Sequence, residues 1–260
     1  MTLVMEHVSN HSFAEFSKMY AAGTHYPKHT HEEYVISANL TGHERIWFDG
    51  KSQEVGPNQI TLYNPLTIQS SEFCPTGTHF MSIHLDARQV RTVLAENDAL
   101  GNRDQPIFHE GVITDSALLS AIREFEKAPQ PDEQEERLVR LLIEMTRFQS
   151  KPDISIMPAK LSRLIEYMRE NLQENISLEH LCREANISKF HLVRAFKKTT
   201  NLPPMQYFKQ LKLIEGRRRL RKGETPLKIA MDLGFYDQGH FCNAFRKVMG
   251  VSPVRYTSML

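Results

Sequence analysis

The spacing of apolar residues changes twice along this chain, and each change marks a different kind of element. Between residues 30 and 86, short β-branched or aromatic runs ("EEYVISANL", "ERIWFDG", "QITLYNP", "HFMSIHL") alternate with turn signals at Gly42, Gly50, Gly56-Pro57 and Pro75-Thr76-Gly77. Short strands at this spacing predict a compact antiparallel sandwich or barrel. From about 115 to 149 the period becomes helical. Leu118, Ala121, Ile122 and Phe125 form one apolar stripe, Leu138, Leu141, Leu142 and Met145 another, and the proline-marked "APQPDEQ" separates them. "SKPDISIMP" (150–158) has two prolines and no period, which predicts a linker over 151–158. After Pro158 every segment reads helical, opening with a stripe of Leu161, Leu164, Ile165 and Met168. The predicted fold class is α+β: a β-sandwich or barrel domain with a helical segment over 1–150, then an all-α domain over 159–260.

The helical domain repeats itself. His191, Ala195, Phe196, Lys198, Pro204 and Tyr207 recur 49 residues later as His240, Ala244, Phe245, Lys247, Pro253 and Tyr256. Upstream, Ser177 and Thr225 correspond at an offset of 48, so the second copy carries one extra residue in its turn. Ser177, and Thr225 followed by Pro226, are expected to cap the first helix of each copy. After the turns "NIS" (186–188) and "GFYD" (234–237), Ser188 and Asp237 are expected to cap the second. Helix, short turn, helix is the plan of a helix-turn-helix module. Between the copies, Met205, Phe208, Leu211 and Ile214 keep helical spacing with no internal proline, which predicts a strut of about 28 Å. Readers in successive major grooves need about 34 Å.

Charge separates the two parts. Residues 160–260 hold 19 Lys/Arg against 9 Asp/Glu, whereas the remainder of the chain's 32 and 31 leaves 13 against 22 before them. A +10 part beside a −9 part points to one half that faces nucleic acid and one that does not. In each second helix the apolar residues share one face, Leu192, Ala195 and Phe196 or Phe241, Ala244 and Phe245. The opposite faces present Lys189, Phe190, Val193, Arg194 and Lys197, or Gln238, Gly239, Cys242, Asn243 and Arg246. Arg194, Gln238 and Asn243 suit base edges, and Lys197, Lys198, Arg246 and Lys247 suit phosphates. The run "GRRRLRKG" taken alone reads as the solvated end of a helix.

Residues 158–260 resemble the DNA-binding domain of the AraC/XylS transcriptional regulators, most clearly in "LGFYDQGHFCNAFRKVMGVSPVRY". The resemblance implies seven helices and two helix-turn-helix units that bind adjacent major grooves of double-stranded DNA, usually as an activator working with RNA polymerase. Carried over by position, the base readers are Phe190, Val193 and Arg194 in the first unit and Gln238, His240 and Asn243 in the second. Phe190 and Val193 depart from the larger or more polar residues usual there, which leaves apolar contact to a thymine methyl as their chemistry.

The acidic part contains "GTHYPKHTHEEYVI" (23–36), which resembles the first metal motif of cupin enzymes. His29 and His31, at i and i+2 on a strand, share a face. Val35 and Ile36 stand where that motif has its Glu, and "GPNQITLYNP" lacks the third His, so no metal or other cofactor is expected and the chain is not read as an enzyme. The stretch instead resembles the cupin-like effector domain of AraC-type regulators. That implies a small-molecule effector in the barrel, with His29, His31, Tyr34, Trp47 and Tyr63 as candidates to line its site. The 115–149 helices resemble that family's dimerisation pair, which implies a homodimer. A cupin metalloenzyme fused to a DNA-binding domain is the alternative. Three widely spaced cysteines without CxxC, no signal-peptide pattern and no apolar run of about 18 residues imply a cytoplasmic protein outside the membrane.

Overall fold

The computed structural model describes residues 2–97, 99–100, 105–127, 131–150 and 159–260; the expected linker 151–158 lies outside them. The chain divides into two compact units, one before and one after the expected linker.

The first unit opens with nine strands: β1 (Thr2–His11), β2 (Ala14–Ala22), β3 (His25–His29), β4 (Tyr34–Thr41), β5 (Glu44–Phe48), β6 (Lys51–Val55), β7 (Ile60–Tyr63), β8 (Gln69–Phe73) and β9 (Thr78–Leu85). Helix α1 (Ala87–Glu96), strand β10 (Gly111–Ile113) and helices α2 (Ser116–Glu126) and α3 (Pro131–Thr146) follow. The strands form two antiparallel sheets, ordered β1-β2-β9-β4-β7-β10 and β3-β8-β5-β6. The apolar runs expected as strands are β4, β5, β7 and β9.

Two cores explain why β4 reads as a continuous apolar run. Tyr34, Ile36 and Ala38 join Phe16, Leu62 and Ile83 against α1, α2 and α3, whose Leu118, Ile122, Phe125, Leu138, Leu141, Leu142 and Met145 are all buried. Val35 faces the other way, into a smaller core with Ile46, Phe48, Val55 and Tyr63. Both predicted helical stripes therefore pack on the larger sheet, and the smaller core fills the space between the sheets. Each fully buried aliphatic side chain contributes roughly 1.5–3 kcal/mol.

The second unit is seven helices: α4 (Ala159–Glu170), α5 (Leu178–Ala185), α6 (Lys189–Thr200), α7 (Pro204–Arg221), α8 (Pro226–Asp232), α9 (Gln238–Met249) and α10 (Pro253–Met259). All four expected caps form, with Ser177 accepting from the His180 amide, Ser188 from His191, Thr225 from Lys228 and Asp237 from His240. Both module turns leave their first helix through a left-handed residue, Asn186 at φ 48° and Gly234 at φ 64°. These two positions are 48 apart and the caps that follow are 49 apart, so the extra residue sits inside the second turn, where Tyr236 stands 92% exposed.

The repeat in sequence is a repeat in packing. Phe196 meets Tyr207 edge-on at 5.3 Å, and their counterparts Phe245 and Tyr256 meet at 5.7 Å. Each pair ties a second helix to the next element. Helix α7, about 27 Å long from its 18 residues, runs between the copies with Tyr207, Phe208, Leu211, Leu213, Ile214 and Leu220 buried. Met205, expected on that stripe, is 37% exposed. The arginine run is only partly a solvated end: Arg218 and Lys222 are exposed, but Arg217 and Arg219 are buried. Arg219 Nε donates to Glu224 at 3.0 Å, and its guanidinium also pairs with Asp232 of α8. Arg217 and Arg221 both donate to the Tyr256 hydroxyl, at 3.3 and 3.0 Å. The Arg219 guanidinium holds the Glu224 carboxyl down to about 2. At Gly216 helix α7 touches α9, for a Cβ there would lie 2.8 Å from the Phe241 ring.

Candidate nucleic-acid interface and effector site

On α6, Lys189, Phe190, Val193, Arg194, Lys197 and Lys198 line one surface hollow. Phe190 is 70% exposed, an apolar ring on an otherwise cationic surface. The Lys189 ammonium pairs with Glu179 of α5, which raises the lysine and lowers the carboxylate. Arg194, Lys197 and Lys198 are exposed, and Val193 is half-buried.

On α9, Gln238, Gly239, Asn243, Arg246 and Lys247 are exposed and Cys242 is half-buried. Ser188 and Asp237, the expected caps, place their oxygens on the first-turn amides of α6 and α9 and so set where each helix starts. His240 is held by its surroundings. Its Nδ1 accepts from the Tyr236 amide at 3.5 Å, its Nε2 lies 3.4 Å from Lys209 Nζ of α7, and Phe235 stacks edge-on to its ring. His191 likewise contacts its own cap, Ser188, at 2.9 Å.

In the barrel, the five expected effector residues fall into three places. His29 and His31 are both 7% exposed, with ring centroids 5.0 Å apart. His29 Nδ1 donates to the Pro27 carbonyl at 2.7 Å, which leaves Nε2 as the acceptor of the neutral ring. Tyr63 lies between the sheets, and its hydroxyl, 3% exposed as a residue, finds no hydrogen-bond partner among the described residues. Tyr34 and Trp47 are elsewhere, and strand parity is the reason. Tyr34 precedes the inward Val35, so it faces the helices, donates to the Pro106 carbonyl at 2.7 Å and packs on Phe108. Trp47 lies between the inward Ile46 and Phe48, so it faces out, under the Lys28 ammonium at 3.1 Å.

Glu44 was not among the expected residues. It shares the inward face of β5 with Ile46 and Phe48, is 6% exposed, and burial pushes its carboxyl up to about 7. Its charge in turn raises the phenols of Tyr26 and Tyr63, for both of which burial is the larger cause. The alternation of "ERIWF" carries this signal, because the parity that buries Ile46 buries Glu44.

Known proteins match both units. An AraC-like ligand binding domain matches residues 17–149, just over half of the chain, and a helix-turn-helix domain matches 181–259. YbfI of Bacillus subtilis, described as an uncharacterized HTH-type transcriptional regulator, is 25% identical over 230 residues, 83% of this chain and 81% of that protein. The MmsAB operon regulatory protein of Pseudomonas aeruginosa is 36% identical over 97 residues, 37% of this chain and 32% of that one. Apo ToxT from Vibrio cholerae superposes with a TM-score of 0.64 at 14% identity, covering 96% of this chain and 99% of that structure, which establishes a shared fold. Among the described residues no helix is long and apolar enough to cross a membrane. With a ligand-binding domain ahead of a doubled, basic helix-turn-helix domain, this chain belongs to the AraC family of transcriptional regulators.

Proposed function

We propose that α6 and α9 read adjacent major grooves of one duplex, that α7 fixes their separation, and that the barrel of residues 1–150 governs this through a small polar effector. The observation that carries the reading is the matched aromatic packing of both modules at the two ends of one buried helix. Arg194, Gln238 and Asn243 contact base edges, Phe190 and Val193 lie against thymine methyls, and Lys197, Lys198, Arg246 and Lys247 hold phosphates. Ser188 and Asp237 act as caps that aim their helices, and Lys189 and His240 stand at the edge of the contact.

The effector site comprises His29, His31, Tyr63 and Glu44. Support comes from a buried phenol beside a buried carboxyl, the kind of polar pair a ligand completes. The chain acts in the cytoplasm as an activator that contacts RNA polymerase, and it dimerises through α2 and α3, where Ile143 leaves 58% of its surface exposed. The test uses the full chain. Affinity for a site selected from random DNA should fall by orders of magnitude between about 50 and 200 mM salt, as phosphate neutralisation requires. Salt-independent retention of DNA would contradict the reading. A thermal-shift screen of sugars, amino acids and aromatic acids should find a ligand whose stabilisation is lost in Tyr63→Phe.

A further inference from the structure

The cupin-like motif of this chain is incomplete in sequence, but the fold brings other ligating residues to the same place. One ligand atom each from His31, Glu33 and His84 lie within 4.8 Å of one another. The His31 and His84 rings are 4.6 Å apart, edge to face. We propose that His31, Glu33 and His84 bind a divalent transition-metal ion in the barrel.

The register shows how the site arises. Val35 occupies the position the motif gives to a carboxylate, and its cross-strand partner on β9 is His84. His84 alternates with Ile83 and Leu85, which pack toward the helices, so its ring faces the inside. Gln69 lies opposite His29 on β8 and supplies no imidazole. The third histidine therefore comes from β9, not from the strand that faces the paired histidines. The carboxylate comes from the loop two residues past His31, a loop pinned where the Leu66 amide donates to the His31 carbonyl at 2.7 Å.

Two imidazoles and one carboxylate suit Zn²⁺, Fe²⁺ or Co²⁺ and are a poor set for the all-oxygen shells of Ca²⁺ or Mg²⁺. Four-coordinate zinc sites with three protein ligands leave a position for water or an exogenous oxygen. Bonds of about 2.0–2.1 Å bring such donors to within about 3.4 Å of one another, so side-chain rotations of modest size close the cluster on an ion. His31 is buried while Glu33 and His84 are half-buried, which leaves an approach for the ion.

The surroundings are those of a supported ligand set. Ser82 Oγ lies 3.5 Å from His84 Nε2 and receives a hydrogen bond from Ser37 at 3.0 Å. Glu15, 6% exposed, lies directly across from His84 on β2. A hydroxyl at this remove can fix the ring and tautomer of a metal-bound histidine. The site shares His31 with the effector residues proposed above and so deepens that reading: the ion's open position would accept a carboxylate or hydroxyl of the effector.

The test uses the full chain, stripped with chelator and titrated with Zn²⁺ and with Co²⁺, whose absorption reports nitrogen coordination. One equivalent should bind, raise the melting temperature and give the cobalt spectrum. His84→Ala and the near-isosteric Glu33→Gln should each weaken binding at least tenfold. His25→Ala, on an exposed histidine at the start of β3, should leave binding unchanged. No saturable binding, or undiminished binding in both His84→Ala and Glu33→Gln, overturns the proposal. DNA affinity of the stripped protein is measured alongside, so a failed metal site is told apart from a failed regulator.

Discussion

Helices α6 and α9, the proposed readers, are built alike and dressed differently. Inward, α6 and α9 match position for position: Leu192 with Phe241, Phe196 with Phe245, and the tyrosines that close on them 49 residues apart. Outward, the C-terminal halves also match in charge, Lys197 and Lys198 against Arg246 and Lys247. The N-terminal halves do not: Lys189, Phe190, Val193 and Arg194 become Gln238, Gly239, Cys242 and Asn243. Phosphate geometry is the same in every groove, so the residues that would hold it can repeat. Base sequence differs between grooves, so the residues that would read it must diverge. The first reader is apolar and cationic, suited to guanine and thymine methyls. The second is rich in amides, suited to adenine.

The comparison breaks first at the shared scaffold. Phe196→Ala and Phe245→Ala each remove a fully buried ring, and each should cost about 3–5 kcal/mol in chemical denaturation. An equal loss at both positions supports equivalent packing; a loss at only one denies it. Gly216→Ala tests the asymmetry of the strut, which touches Phe241. Overpacking there should cost about 1–3 kcal/mol and lower affinity through the second reader only.

The barrel supplies the same contrast between a packing face and a working face. Glu44 has a folded-state value raised to about 7 from 4.5, so between those values the folded protein binds more protons than the unfolded one. Stability therefore falls as pH rises through that window. Glu44→Gln should flatten the decline and be more stable than the parent at pH 8 by up to about 3 kcal/mol. Parallel stability curves for the two proteins would show that Glu44 ionises freely.

Substitutions at the diverged positions should act on sequence choice instead of stability. Arg194→Ala and Asn243→Ala should each relax preference by about 1–3 kcal/mol at one base pair, in different halves of the site. Lys198→Ala should weaken all sequences alike. The smallest effects are expected at the caps, where Ser188→Ala and Asp237→Ala should each cost about 1 kcal/mol and blur one half-site.

Much of this was legible in the sequence where the signal was periodic or repeated. The two α2–α3 stripes, the four caps and the doubled module follow from spacing alone. Six strands escaped notice, β1, β2, β3, β6, β8 and β10, and four of them lie at sheet edges. β1, β3, β6 and β10 are the four sheet edges; β3 carries Pro27 and β6 reads "KSQEV", the prolines and charges that protect an edge and erase its apolar pattern. Helix α1 was missed although Asp86 caps it and Val90 and Leu94 anchor it at i, i+4. The barrel site was only half legible. His29 and His31 announce themselves, but His84 joins them through β4–β9 register, and Glu44 through parity on β5. Tyr34 and Trp47 share the motif's neighbourhood in sequence and face away in space. Buried Arg217 and Arg219 show that a basic run can be framework.

The central claim is that one rigid helix presents two different readers to one duplex. The most direct test selects sites for the full chain from random DNA, then repeats the selection with Arg194→Ala and with Asn243→Ala. The account predicts two blocks of preferred sequence centred about 10 bp apart, with each variant relaxing one block and leaving the other intact. A single block, or both variants relaxing the same block, would contradict it.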